Sequence, residues 1–213
     1  MPEPPTRVDV LTIGHLSRNK FWGEPDDRAV RSALCTSALV RAGGATILVD
    51  PGDPPERTAA VLDERAGLRV ADVDVVFVTH FHGDHRVGLA AFPSVPWLMA
   101  AGELAGWIEH AKAGDRELTA RFTAAPDHLA PGVTLLPTPG HTPGHTSLLV
   151  RSDADVVIAG DAVPTRDFFL ARDTFHNTLD RAAAVAAMDR IAAFGGIIVP
   201  GHDNAFAAPS LAD

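Results

Sequence analysis

Positions 80 to 85 read His80-Phe81-His82-Gly83-Asp84-His85, four imidazole or carboxylate donors within six residues. The run follows a short apolar stretch, 73–78, expected to be a strand. In extended backbone, residues two apart project to the same side, so His80 and His82 can chelate one ion. Gly83 then lets the chain turn. Asp84 and His85, at the expected start of a helix, point away from the His80 and His82 side and can address a second ion nearby. Thr79 is read as a strand-end hydroxyl making local hydrogen bonds.

Three further donors stand at matching places. His141 in Thr138-Pro139-Gly140-His141, Asp161 in Ala159-Gly160-Asp161 and His202 in Pro200-Gly201-His202 each follow an apolar run and a glycine. Open sheets place ligands at strand ends, and glycine before a ligand permits the close backbone approach that such a loop needs. Four separate strand ends would thus supply one site. Neutral imidazoles with a few carboxylates suit Zn²⁺, Mn²⁺ or Fe²⁺, and two close cations strongly lower the pKa of a shared water. The chemistry implied is attack by hydroxide at neutral pH, with Asp84 or a metal-held water returning a proton to the leaving group.

The elements that must position these residues follow from periodicity and turn signals. Strands are expected at 8–13, 34–40 and 45–49, with Ala42-Gly43-Gly44 as a hairpin turn between the last two. A surface helix is expected over 55–66, stopped by Gly67. Because 73–78 is almost entirely apolar, it reads as a strand buried on both faces. Further helices are expected near 85–91, over 103–113 and over 179–194, the last packed through Leu179, Met188 and Ile191. Further strands are expected at 97–100, 133–136, 147–150, 156–159 and 197–199. Strands and helices in mixed order suggest helices packed outside sheets. Residues 14–32 read as a long loop.

Composition sets the outer limits. The chain has 213 residues, 46% of them apolar, which is enough for one domain to bury a core without disulfides. We expect a flexible segment at 1–7 and a single domain over 8–213. A formal net charge of -9 and no Lys/Arg run disfavour nucleic acid and anionic membranes as partners. No apolar run reaches bilayer-spanning length and no leader pattern opens the chain, so a cytoplasmic protein acting on a small molecule is expected. The single cysteine, Cys35, is expected to be buried, and excludes an intrachain disulfide or a thiolate zinc cluster. His110 and His128 have no partner pattern and are expected to face solvent.

With its His-x-His-x-Asp-His motif at 80–85, and the donors at 141, 161 and 202, the chain resembles the metallo-β-lactamase fold superfamily from about residue 8 to 202. The resemblance implies an α/β fold, a four-layer αββα sandwich with the metals in a cleft at one edge of two sheets. It implies two divalent ions, zinc being favoured. The first would be held by His80, His82 and His141, the second by Asp84, His85 and His202, with Asp161 bridging both. Asp84 and Asp161 are thereby the expected catalytic carboxylates. His145, four beyond His141, would orient a ligand by hydrogen bonding rather than coordinate. Asp50 matches a position that supports the metal loop, although Asp before Pro-Gly is also ordinary turn chemistry. Loop residues His15, Phe21, Trp22, Phe168, Phe169 and His176 would border a partly apolar cleft mouth.

Departures from subfamily patterns narrow the expectation. His82 stands where flavodiiron oxidoreductases carry Glu, and Asp161 stands where true β-lactamases of this fold lack the bridging Asp. The glyoxalase II type shares all seven ligands but needs a helical extension for glutathione, for which little chain follows His202. Quorum-quenching lactonases use a tyrosine near the metals, and this chain has no tyrosine. The nucleases of the superfamily carry extra domains. The expectation is a hydrolase of a small ester, thioester or lactone. The alternative is a persulfide dioxygenase, resembling the chain in length and motif, with one iron on His80, His141 and Asp161.

Overall fold

The computed structural model describes residues 5–209. Of the expected flexible segment, residues 1–4 lie outside the described residues, and the first strand already begins at Arg7. One sheet contains β1 (Arg7–Thr12), β2 (Ser37–Ala42), β3 (Ala45–Val49), β4 (Val75–Val78), β5 (Trp97–Met99) and β6 (Phe122–Ala124), in that spatial order. The second contains β7 (His128–Ala130), β8 (Val133–Pro137), β9 (Thr146–Val150), β10 (Val156–Gly160), β11 (Ile197–Pro200) and β12 (Phe206–Ala207), again in sequence order. Helices α1 (Pro55–Ala66), α2 (Ala101–His110), α3 (Arg116–Thr119), α4 (Arg166–Ala171) and α5 (Arg181–Phe194) complete the fold.

The period of two along the central strands builds the layers. Val40, Ile47, Val49 and Phe77 of the first sheet meet Leu148, Val150, Ile158 and Val199 of the second in a buried cluster. Their neighbours Leu39, Leu48 and Val76 point the other way, onto Val61 and Leu62 of α1 and Leu104 and Trp107 of α2. On the far side, Leu149 and Val157 pack under Met188 and Ile191 of α5. Strands buried on both faces need apolar residues at consecutive positions, which is why 75–78 and 148–150 are continuous apolar runs. The result is the αββα sandwich.

Several local expectations are corrected. The stretch 85–91 forms 3₁₀ turns rather than an α-helix. Helix α5 starts at Arg181, because the Asp180 carboxylate accepts the Ala183 N–H and caps it there, leaving Leu179 outside. Ser37, not residue 34, opens β2. The short outer strands β6, β7 and β12 leave no signal in the sequence, since they carry too few buried residues for an alternating pattern.

Candidate metal centre

The chain ends of β4, β8, β10 and β11 meet at one edge of the sandwich and are stitched across it by backbone bonds. Thr146 N–H donates to the Thr79 carbonyl at 3.1 Å, and Thr36 N–H donates to the Gly201 carbonyl at 2.6 Å. Two glycines are required here. Gly160 adopts φ +51°, a conformation that side chains rarely take, and a Cβ on Gly201 would lie 2.1 Å from Asp161 Oδ1.

Seven side chains converge at this edge in two groups, within each of which one potential ligand atom per residue lies within 4.8 Å of the others: His80, His82, His141 and Asp161, and then Asp84, His85 and His202. His80 Nε2 is 3.0 Å and His141 Nε2 2.9 Å from His82 Nδ1. Asp161 stands between the groups with its oxygens divided. Oδ2 lies 3.2 Å from His141 Nε2 and 3.9 Å from His80 Nε2, while Oδ1 lies 3.2 Å from both His85 Nε2 and His202 Nε2. Asp84 Oδ2 is 3.6 Å from His202 Nε2 and remains partly exposed.

The far nitrogens of the rings are held by the fold, which fixes the nitrogen that faces inward. His85 Nδ1–H donates to Asp50 Oδ2 at 2.9 Å, and His202 Nδ1–H donates to the Leu34 carbonyl at 2.8 Å. Asp50 also accepts the Thr79 N–H and the Thr79 hydroxyl, each at 2.8 Å. With its proton given to Asp50, Thr79 Oγ1 accepts from His80 Nδ1 at 3.1 Å. Asp50 is thus more than a turn former. It adopts φ +49°, which Asp tolerates better than most residues, and spends its carboxylate on the strand end and on His85.

Charge and burial agree with a cation site. Burial pushes His80 well down and His141 down to about 4, so both rings are neutral and have lone pairs to give at neutral pH. At His85 and His202 burial also works downward, but Asp161, with Asp50 beside His85, outweighs it and raises both. Asp161 itself is held well below the carboxylate range: burial opposes this, and His202, His85 and His141 overcome it. The buried atoms His85 Nε2 and Asp161 Oδ1 have no hydrogen-bond partner among the described residues. With the His85 proton on Nδ1, both atoms present lone pairs, and two buried acceptors facing one another call for a positive charge between them. The residues present therefore fit divalent ions.

The other expected site residues are distributed differently. His145 donates toward or accepts from Thr138 Oγ1 at 2.9 Å and lies ring against ring with His80, 5.1 Å between centroids. Its contact with that ring is packing, so the expected hydrogen bond to a ligand is not made. His176 lines a cavity of about 220 Å³ over the centre, with Leu16, Asn177, Asp84 and His202. Phe168 lies behind that wall, buried against Leu16 and Phe175. Phe21 and Trp22 are exposed on a 3₁₀ turn, Phe21 edge-on to Phe168. His15 bridges to Leu34 in backbone pairing. Phe169 points into the core below α5, ring to ring with Phe206, and is no part of the mouth. Sequence reasoning missed Leu16, Ala33 and Asn177, small or uncharged loop residues with no spacing signal. It also missed Glu103, a buried acid at the start of α2 whose carboxyl burial pushes up.

Cys35 is fully buried, its Sγ–H donating to the Asp50 carbonyl at 3.3 Å. Burial, reinforced by Asp50, Asp84 and Asp161, pushes its thiol well up. Since the thiolate is the reactive form, iodoacetamide at pH 8 should leave the folded protein unmodified and alkylate it fully in denaturant, as read by intact mass.

A four-layer αββα sandwich with a His/Asp cluster at one sheet edge defines a class of metal-binding protein. The chain belongs to the metallo-beta-lactamase superfamily, whose family model matches residues 33–202. It is 32% identical over 183 residues to the human metallo-beta-lactamase domain-containing protein 1, covering 80% of this chain and 62% of that one. It is 28% identical over 138 residues to an N-acyl homoserine lactonase from a Bacillus species, covering 60% of this chain and 53% of the relative. The chain thus spans between half and two thirds of the length of these relatives. The fold also matches that of a probable metal-dependent hydrolase from Staphylococcus aureus, with TM-score 0.75, 16% identity, and coverage of 100% of this chain and 96% of that one. The AiiA lactonase of B. thuringiensis gives TM-score 0.68 at 21% identity, over 90% and 88% of the two chains.

Proposed function

We propose that the chain is a dinuclear metal-dependent hydrolase of a small ester, thioester or lactone. The observation that carries this reading is the division of Asp161, one oxygen toward His80 and His141 and the other toward His85 and His202. In it, His80, His82 and His141 hold one ion, Asp84, His85 and His202 hold the other, and Asp161 joins them. When bound, such a pair supplies Lewis acidity toward the scissile carbonyl and a hydroxide at neutral pH. The imidazole and carboxylate donor set favours zinc, with Fe²⁺ or Mn²⁺ also compatible.

The chain's own groups do the rest. Asp84 is the donor-group carboxylate that both lines the cavity and keeps partial solvent access, so it is placed to pass a proton to the departing oxygen or sulfur. His176 and Asn177 supply polar contacts at the mouth. Relatives named as N-acyl homoserine lactonases and metallo-hydrolases support hydrolysis over the iron dioxygenase alternative. So does the second trio, for which a single iron on His80, His141 and Asp161 has no use. Among the described residues no helix is long and apolar enough to cross a membrane.

Purified protein should contain two equivalents of a zinc-class ion by elemental analysis and turn over members of an ester, lactone and thioester panel. A single iron per chain with oxygen consumption would overturn the reading.

A second, larger space of about 440 Å³ adjoins the centre, with His82 as the shared wall. Phe81, Trp107 and Leu179 make it largely apolar, the Phe81 and Trp107 rings being stacked at 6.2 Å. It suits an apolar substituent of the substrate. Leu179→Asp should raise KM about fivefold for substrates with such an arm, the effect of losing about 1 kcal/mol of apolar contact. kcat should stay unchanged, and acetyl-sized substrates should not notice the change.

A further inference from the structure

We propose that Glu103 is a positioning residue that holds two loops at ligand spacing and thereby sets the affinity of one half of the metal centre. The inference rests on the ligand assignment proposed above. Glu103 is 2% exposed, on the first turn of α2, and its carboxylate joins elements that are remote in sequence. Oε1 accepts the Phe81 N–H at 3.0 Å; Oε2 accepts the Thr142 hydroxyl at 2.8 Å and the Gly144 N–H at 3.1 Å.

Phe81 lies between His80 and His82, and Thr142 follows His141. One carboxylate therefore spans all three histidines of the first group, although His80 and His82 leave β4 of one sheet and His141 leaves β8 of the other. The loops have little freedom to drift. A Cβ on Gly144 would lie 2.2 Å from the Glu103 nitrogen, so backbone meets backbone at this crossing. Three donors converge on the two oxygens, and no Lys, Arg or His pairs with them among the described residues.

The second group has separate bracing. His85 is held by Asp50 and His202 by the Leu34 carbonyl, and neither bond involves Glu103. A role in positioning thus predicts a one-sided effect, whereas general destabilisation would weaken both halves. Glutamine keeps the shape but, with its oxygen held by the Thr142 hydroxyl and the Gly144 N–H, turns its NH₂ against the Phe81 N–H between His80 and His82, setting donor against donor.

The test is zinc titration of metal-stripped protein by chelator competition, with Glu103→Gln placed in two backgrounds. His202→Ala leaves the first group as the intact set of histidines, and His141→Ala leaves the second. We expect Glu103→Gln to weaken zinc binding about 10- to 100-fold in the His202→Ala background, the usual effect of losing an outer support of metal ligands. In the His141→Ala background we expect less than a twofold change. Any drop in the melting temperature of the metal-free proteins on Glu103→Gln should be the same in both backgrounds, so lost stability alone would not produce a one-sided change in zinc binding. Equal losses in both backgrounds, or none in either, overturn the role of Glu103. A parent chain that takes up no zinc overturns the ligand assignment and this role with it, so the two failures are told apart.

Discussion

Asp161→Ala will lower turnover on the order of a thousandfold and reduce bound metal from two equivalents to one or none, while leaving the circular dichroism spectrum unchanged. The magnitude corresponds to about 4 kcal/mol of lost transition-state stabilisation, within the range a polarising metal pair supplies. The reason is geometric. Asp161 is the residue in contact distance of His141, His85 and His202 together, and its two oxygens face opposite groups. Alanine leaves the two groups with no shared anion, so two cations held there would repel each other unscreened. Asn keeps one carbonyl oxygen and should retain more metal than Ala. Full activity in the alanine variant would defeat the joining role of Asp161.

The second large effect is expected at Asp50, which touches no substrate. Its Oδ1 accepts the Thr79 N–H, so in Asp50→Asn that oxygen stays and the new NH₂ replaces Oδ2. Oδ2 is where the Thr79 hydroxyl and His85 Nδ1–H now donate. An amide donor at this place forces His85 to accept at Nδ1 and carry its proton on Nε2, the atom that faces Asp161. The ring then presents a proton where a lone pair is needed. Zinc affinity of the Asp84, His85 and His202 group should fall about 10- to 100-fold, and activity at limiting zinc should fall with it. Excess zinc should restore part of the activity. A variant titrating like the parent would show that the Nδ1 contact does not govern the tautomer.

Much of the site was legible because metal chemistry leaves strong marks in sequence. Imidazoles two apart after a buried strand, and single donors after strand-Gly junctions, survive as spacing whatever surrounds them. The central strands were legible for a related reason: burial on both faces demands consecutive apolar residues, as in 75–78. What was not legible depends on tertiary neighbours. Phe168 and Phe169 are adjacent and chemically identical, yet one backs the cavity and the other lies in the core under α5. Which side each takes follows from where α4 sits, and no local pattern states that. Glu103 leaves no spacing signal at the start of its expected helix, because its three donors come from Phe81, Thr142 and Gly144. Asp50 before Pro-Gly fits a turn former and a support equally in sequence, and only its bond to His85, made from a left-handed backbone, distinguishes them.

The placement of donors on strand ends of both sheets bears on how the chain comes into being. The first group spans positions 80 to 161, and the second is incomplete until His202 has been made and β11 has paired beside β10. Contacts of such long sequence separation form late, after the loop entropy between them has been overcome. A growing chain on the ribosome would therefore carry scattered, weakly binding histidines until His202 has emerged and β11 can pair. Full metal uptake then marks completed assembly of the sandwich, and scarcity of the ion would be felt most by newly made chains.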